Sequence, residues 1–414
     1  MNLITFFVTL FSILIIVLGG LLGWYRGAKR SAVLLGLVAV TFVVAWFLCP
    51  LFAKLITSAK IEVATGAEVE SVTLIEYIHN TLTAQELPVS LVSLIVNTIV
   101  ITAEVIMFIT SFLGILFFMW ILPFNLIKLC FKKDKKKKKG KKKREKGDII
   151  GGILLGVLSG IIVAYTTFVP VTGLAHEIAK ASKIKIEGEP AIKLEQSYDV
   201  NDYIQSPFGK LYDTTGSWLF KHIATTVDDN SGKKVNLSDN IDVVVVATEI
   251  LDEAVKISNT DFSEGLNEEN VSTLVESLTK MEESKDSLSE EATEIFNEIL
   301  VDLSSSLGEE LPISIPEDFD FSKVNFKEAA DAIEVVYDYS KSEEPELTEE
   351  QVDTIVNAFA DNMVIIEALG TEQLVELDDT SKDLVEEKLN DVIAEEKLTQ
   401  EQIDLIKGLL GINK

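Results

Sequence analysis

Four stretches of this chain are too long and too apolar to be stable as water-exposed elements. They run from about Leu3 to Trp24, Ser31 to Ala53, Leu91 to Leu129 and Ile149 to Val169. About 20 predominantly apolar residues suffice for a helix to cross a hydrocarbon layer ~30 Å thick. Within that layer the backbone finds no water, so a lipid-facing segment satisfies its N–H and C=O groups internally, as a helix does. The sequence therefore predicts four transmembrane helices. The first lacks the basic start and small-residue cleavage site of a secretory leader, and a second apolar span follows at once, so it is read as a retained helix.

The third stretch is roughly twice the required length. It has no charged turn inside it, with Asn97 and Glu104 in its first half and Asn125 and Lys128 near its end. One long helix protruding beyond the bilayer is the preferred reading, with Glu104 near an interface. The alternative makes Glu104 an intramembrane proton or ion site, the usual suspicion for a carboxylate inside a span.

Charge divides the chain in two. Met1–Gly173 holds 18 basic and 9 acidic residues, net +9, and Leu174–Lys414 holds 19 and 56, net −37; together they give the overall −28. The expected organisation is a transmembrane module over residues 1–173, then an acidic, mostly helical soluble domain over 174–414. The fold class is all-α.

Short loops set orientation through lysine and arginine. The first loop, YRGAKR, carries Arg26, Lys29 and Arg30. The second, Lys54–Ser90, has two lysines against five glutamates. The third, residues 131–148, holds Lys132, Lys133, Lys135, Lys136, Lys137, Lys138, Lys139, Lys141, Lys142, Lys143, Arg144 and Lys146. Alternation over four spans puts both basic loops in the cytoplasm. The N-terminus and the acidic part are then extracytoplasmic.

The lysine run would face an anionic inner leaflet, where each lysine near the surface is worth about 1 kcal/mol. An acidic partner or nucleic acid is the alternative there. Nucleic acid is not expected, because no aromatic residues interleave with the lysines to stack bases. Cys49 and Cys130, the only cysteines, fall near opposite ends of the spans, too far apart for a disulfide.

Two motifs stand out. Gly152, Gly156 and Gly160 recur every four residues and line one face of the last span, and Gly19 and Gly23 repeat the spacing in the first. In lipid, small residues let backbones approach closely. The face would serve packing within the chain or homo-oligomerisation. The other motif is Arg26-Gly27-Ala28-Lys29-Arg30. The chain has three arginines in all, and two lie here. Guanidinium offers a bidentate fork that lysine lacks, and Gly27 permits a tight turn. The loop is either a plain topology signal or a contact for a phosphate, a carboxylate or a partner protein.

GLLGWYRGAKR at Gly20–Arg30 and DIIGGILLGVLSG at Asp148–Gly160 together resemble the colicin V production family, the CvpA-like membrane proteins of bacteria. The shared pattern is R-G-x-x-R after the first helix, then an Asp and glycines at four-residue steps opening a later one. Ser31 stands where many relatives have an acidic residue, and Ser159 where some have a basic one. The resemblance covers about residues 1–173, and a looser likeness runs on to about Leu219. It implies a protein of the bacterial inner or plasma membrane linked to toxin production or export and to envelope maintenance, and it implies no established catalytic activity.

In the acidic part, Asn267, Ser289, Thr348 and Thr399 each precede acidic first turns and are expected N-caps. Gln351 and Gln402 complete capping boxes, and Leu347–Val352 and Leu398–Ile403 are placed as hydrophobic staples. Ile184–Leu194 reads as a short hairpin. Ser206–Trp218, richer in aromatics and glycine, is expected either against the membrane surface or capping the helical bundle.

Catalytic motifs are missing from the sequence. His79, His176 and His222 are its only histidines. No metalloprotease, serine-hydrolase or EF-hand pattern occurs. No enzyme, metal or cofactor is expected. The expected role is that of a scaffold or accessory factor for toxin export or envelope maintenance, partnered by the bilayer and an unidentified membrane or envelope protein. A small transporter or channel component, or a membrane-anchored surface binding module, are the alternatives.

Overall fold

The computed structural model describes residues 3–65, 68–83, 88–131, 146–182, 185–186, 189–190, 200–227, 232–260, 266–307, 320–342, 345–363, 366, 373–394 and 398–412. The four apolar stretches are helices: α1 (Leu3–Arg26), α2 (Ala28–Thr57), α4 (Val89–Phe131) and α5 (Lys146–Ala181). All four are long and apolar enough to cross a membrane. The third stretch is a single unbroken helix of 43 residues. The fourth continues twelve residues past Val169, where the pattern HEIAKA stays helical while becoming polar.

Between α2 and α4 lie an antiparallel hairpin, β1 (Lys60–Thr65) with β2 (Glu68–Thr73), and α3 (Leu74–Thr83). The sequence reading treats this stretch only as a loop. Its alternation of polar and β-branched residues fits a strand pair, and Thr73 with Glu76 forms the capping box that starts α3. After α5 come the two-residue strands β3 (Lys185–Ile186) and β4 (Glu189–Pro190), which pair antiparallel within the expected hairpin. Then follow α6 (Val200–Ile204), α7 (Pro207–Ile223), and the paired β5 (Thr225–Val227) and β6 (Lys234–Asn236).

The remainder is helical: α8 (Leu237–Ser258), α9 (Glu268–Asp286), α10 (Glu290–Leu307), α11 (Phe326–Lys341), α12 (Glu349–Asp361), α13 (Asp379–Ala394) and α14 (Gln400–Leu409). Asn267, Thr348 and Thr399 each cap their helix in a reciprocal box. Ser289 Oγ accepts the Ala292 N–H at 3.1 Å. Of the expected staple residues, Leu347, Val352 and Ile403 are buried and Leu398 is half-buried.

Two compact units result. One comprises residues 1–87 and 91–241, the other 88–90 and 242–414. Their boundary falls at Ile241, within α8, because α6, α7 and the β5–β6 pair pack with the apolar helices. The second unit has its own core, with Leu274, Leu278, Phe296, Ile333, Ile355, Phe359, Leu389 and Ile406 all nearly inaccessible. Phe296 meets Phe321 edge-on at 4.6 Å. Polar side chains inside this core are bonded: Ser277 Oγ donates to Glu253 at 2.8 Å, and Asn362 Oδ1 accepts the Asn325 N–H at 2.9 Å.

Candidate functional site

The chain reverses between α1 and α2 in one residue. Gly27 has φ +80°, a region where side chains with a Cβ are strained and glycine is not. Its N–H closes α1 onto Gly23 O at 2.8 Å, and its carbonyl opens α2 by accepting the Ser31 N–H at 3.1 Å. The first turn of α5 lies against this reversal. Asp148 Oδ1 accepts the Ala28 N–H at 2.9 Å. One carboxylate therefore serves two helix N-termini: it satisfies a donor at the start of α2 and stands in the first turn of its own helix, favourable against both dipoles.

The glycine faces meet directly below this corner. A methyl on Gly23 would lie 3.0 Å from Gly156 Cα, and one on Gly156 would lie 2.9 Å from Gly23 Cα. A methyl on Gly19 would be 3.1 Å from Gly160 Cα, one on Gly160 2.9 Å from Ile16 Cα, and one on Gly152 2.9 Å from Gly27 Cα. Carbon atoms pack at about 3.5–4.0 Å, so none of these positions admits a side chain without separating the helices. The two glycine sets read separately from the sequence are the two halves of one α1–α5 contact.

The arginines lie on either side of Gly27 in the chain. Arg26, the last residue of α1, is half-buried, and Arg30, in the first turn of α2, is exposed, as is Lys146. Lys132 to Arg144 lie outside the described residues. Ser31 is buried. Ser159 is also buried, and its hydroxyl donates to Leu155 O at 2.8 Å.

At the opposite end of the helices, residues 200–227 and 232–241 form a cap. Tyr212 of α7 donates to Ser12 of α1 at 2.9 Å. The His222 ring lies 6.4 Å from that of Trp46 on α2. Thr226 of β5 donates to Glu104 Oε1 at 3.3 Å, and Asn240 Nδ2 donates to Thr98 of α4 at 3.2 Å. Glu104 is buried beneath this cap, and its carbonyl accepts the Cys49 thiol. The Cys130 side chain lies outside the described residues.

Between α5 and the cap is a cleft of about 380 Å³. His176 Nδ1 stands 3.4 Å from Asp213 Oδ1, and Lys180 Nζ stands 3.6 Å from the buried Glu177 and 3.0 Å from Ser238 Oγ. Asn236 closes the floor and caps α8 by accepting the Asp239 N–H at 3.0 Å. Lys180 and Lys221 share the lining of the cleft with Glu177, Asp213 and Asp239. Among the described residues no group of three or more His, Cys, Asp or Glu is placed to hold a metal ion.

The polar cluster escapes a reading of the sequence because its members come from four elements, α5, α7, β6 and α8, spread over 176–239. So does the Ala28–Asp148 hydrogen bond beside Gly27, which joins residues 120 positions apart. The one available signal was that both motifs sit at the same expected end of their spans, the first and the fourth. No protein-family model, no curated protein and no solved structure matches this chain.

Proposed function

We propose that this is a non-enzymatic membrane protein of the CvpA-like type, acting as a scaffold or accessory factor in toxin export or envelope maintenance. The observation that carries the reading is the corner at Gly27. The two motifs on which the family resemblance rests are parts of a single packing unit, in which Asp148 caps α2 and the glycines of α5 seat those of α1. Such a contact holds helices in a fixed relation. In lipid, dispersion between closely approaching backbones does this without help from water expulsion.

On this reading the basic loops face the cytoplasm and the acidic second unit faces outward, where it meets an envelope protein. The Arg26–Arg30 pair is the contact for an anionic group at the cytoplasmic surface. Its placement beside a rigid corner presents two guanidinium groups on a fixed base.

The test is complementation of a deletion strain under envelope stress. Replacing Arg26 and Arg30 together by lysine keeps the charge, and with it insertion, but removes bidentate geometry. The reading expects normal accumulation and failed rescue. Full rescue by the lysine version would reduce the loop to a topology signal.

A further inference from the structure

We propose that α7 lies in the membrane interface, on the side opposite the arginine loop, with one face inserted among the lipids of that leaflet. The proposal rests on the membrane reading of α1, α2, α4 and α5 and adds a fifth, non-spanning lipid contact.

The first support is level. Counting from Ile149, about 20 residues at 1.5 Å each take α5 across ~30 Å of hydrocarbon, to about Val169. The contacts of α7 with α5 fall on both sides of that point. Tyr212 packs against the rings of Tyr165 and Phe168 at 6.2 and 6.0 Å, and Thr215 O accepts the Tyr165 hydroxyl. Gly216 faces Val169, Phe220 faces Gly173, and Asp213 faces His176. The same count along α2 from Ala28 reaches about Phe47, and His222 meets Trp46 there.

The second support is the division of α7 into three faces. Gly209, Tyr212, Gly216, Leu219, Phe220 and Ile223 are buried against the other helices. Lys210, Asp213, Thr214, Ser217 and Lys221 form a polar face, four of them lining the cleft. Phe208, Leu211, Thr215, Trp218 and His222 share the remaining face at helical spacing. Leu211 is 52% and Trp218 67% exposed. This last face continues the lipid-facing surface of α2, where Phe47 is 70% and Leu51 60% exposed. Tryptophan with its polar N–H edge favours the headgroup level, and lysines at 210 and 221 can extend their charges into water while their stems stay in the interface. An interfacial helix has this combination of one apolar and one charged face.

The test uses the full chain in nanodiscs, with Trp24, Trp46 and Trp120 changed to Phe so that Trp218 alone emits. Lipids brominated near the top of the acyl chain should quench Trp218 more than aqueous iodide does. Dominant quenching by iodide, or quenching by neither, would overturn the proposal. A sister protein carrying Phe47→Trp, with Trp218 also changed to Phe, separates the two readings. Failure of brominated lipid to quench that residue would sink the membrane reading, whereas its quenching with Trp218 unaffected would sink the interfacial helix alone. A second measurement keeps native tryptophans. In a background lacking Cys49 and Cys130, a water-soluble thiol reagent should modify Ser217→Cys faster than Leu211→Cys in nanodiscs; equal rates would contradict the assignment.

Discussion

Gly27→Ala should destabilise the helical unit for two separable reasons. The first is backbone strain. At φ +80° an alanine costs roughly 1–2 kcal/mol, because its Cβ crowds the following carbonyl. The second is collision, since the added methyl would lie 2.5 Å from Asp148 Oδ2. Relief requires the carboxylate to move and give up the Ala28 N–H, a cap of about 1 kcal/mol. The single variant should therefore lose about 2–3 kcal/mol. Asp148→Ala alone should lose about 1 kcal/mol. Once Asp148 is gone the collision is gone, so the double variant should be no less stable than Gly27→Ala alone. Equilibrium unfolding of the purified full chain in mixed micelles measures all three. Simple additivity, within the ~0.5 kcal/mol seen for independent sites, would show that Asp148 and Gly27 do not share a contact.

Gly156→Leu should lower stability and accumulation by prising α1 from α5, with overpacking costing about 1–3 kcal/mol or more. Gly36→Ala, at a helix position with open space around it, should be neutral or slightly stabilising. Equal effects of the two on thermal stability would mean that the glycine face is not the contact that matters. In the second unit, hydrogen bonding by Ser381, with help from Tyr339, holds the Asp378 carboxyl below its ordinary range. The unfolded chain then binds more protons as pH falls, so this contribution is present at neutral pH and fades as pH drops through about 4 and below. Melting curves of Asp378→Asn should show a flatter acid limb than the native chain; an unchanged limb would refute the role.

The spans were legible because lipid leaves a long apolar segment few choices. Their ends were less so. The turn at Gly27 uses a single residue, letting α2 start at Ala28, and α5 extends beyond Val169 because leaving the hydrocarbon layer does not end a helix whose sequence still favours one. Capping was legible at Asn267, Thr348 and Thr399 because it is local chemistry within four residues. The glycine spacing announced close packing but not its partner, since the same face serves a neighbouring helix or a second copy. The pairing of Gly27 with Asp148, and the convergence of His176, Asp213 and Asn236 on one cleft, depend on how distant segments dock. Neither leaves a periodic trace in the chain. For Ser206–Trp218 the two expectations, capping the bundle and meeting the membrane, correspond to different faces of α7. Its buried face supplies the first, and the second is what the tryptophan experiment examines.

In the function proposed above, four helices span the membrane, and the basic loops and the acidic unit lie on opposite sides of it. The most direct measurement is labelling of single cysteines in whole cells lacking Cys49 and Cys130. Ser289→Cys, in the second unit, should react with an impermeant thiol reagent in intact cells. Lys142→Cys, which leaves the loop strongly positive, should react only after the membrane is opened. Labelling at position 142 but not at 289 in intact cells would invert the orientation, and labelling of both would contradict the four-span account itself.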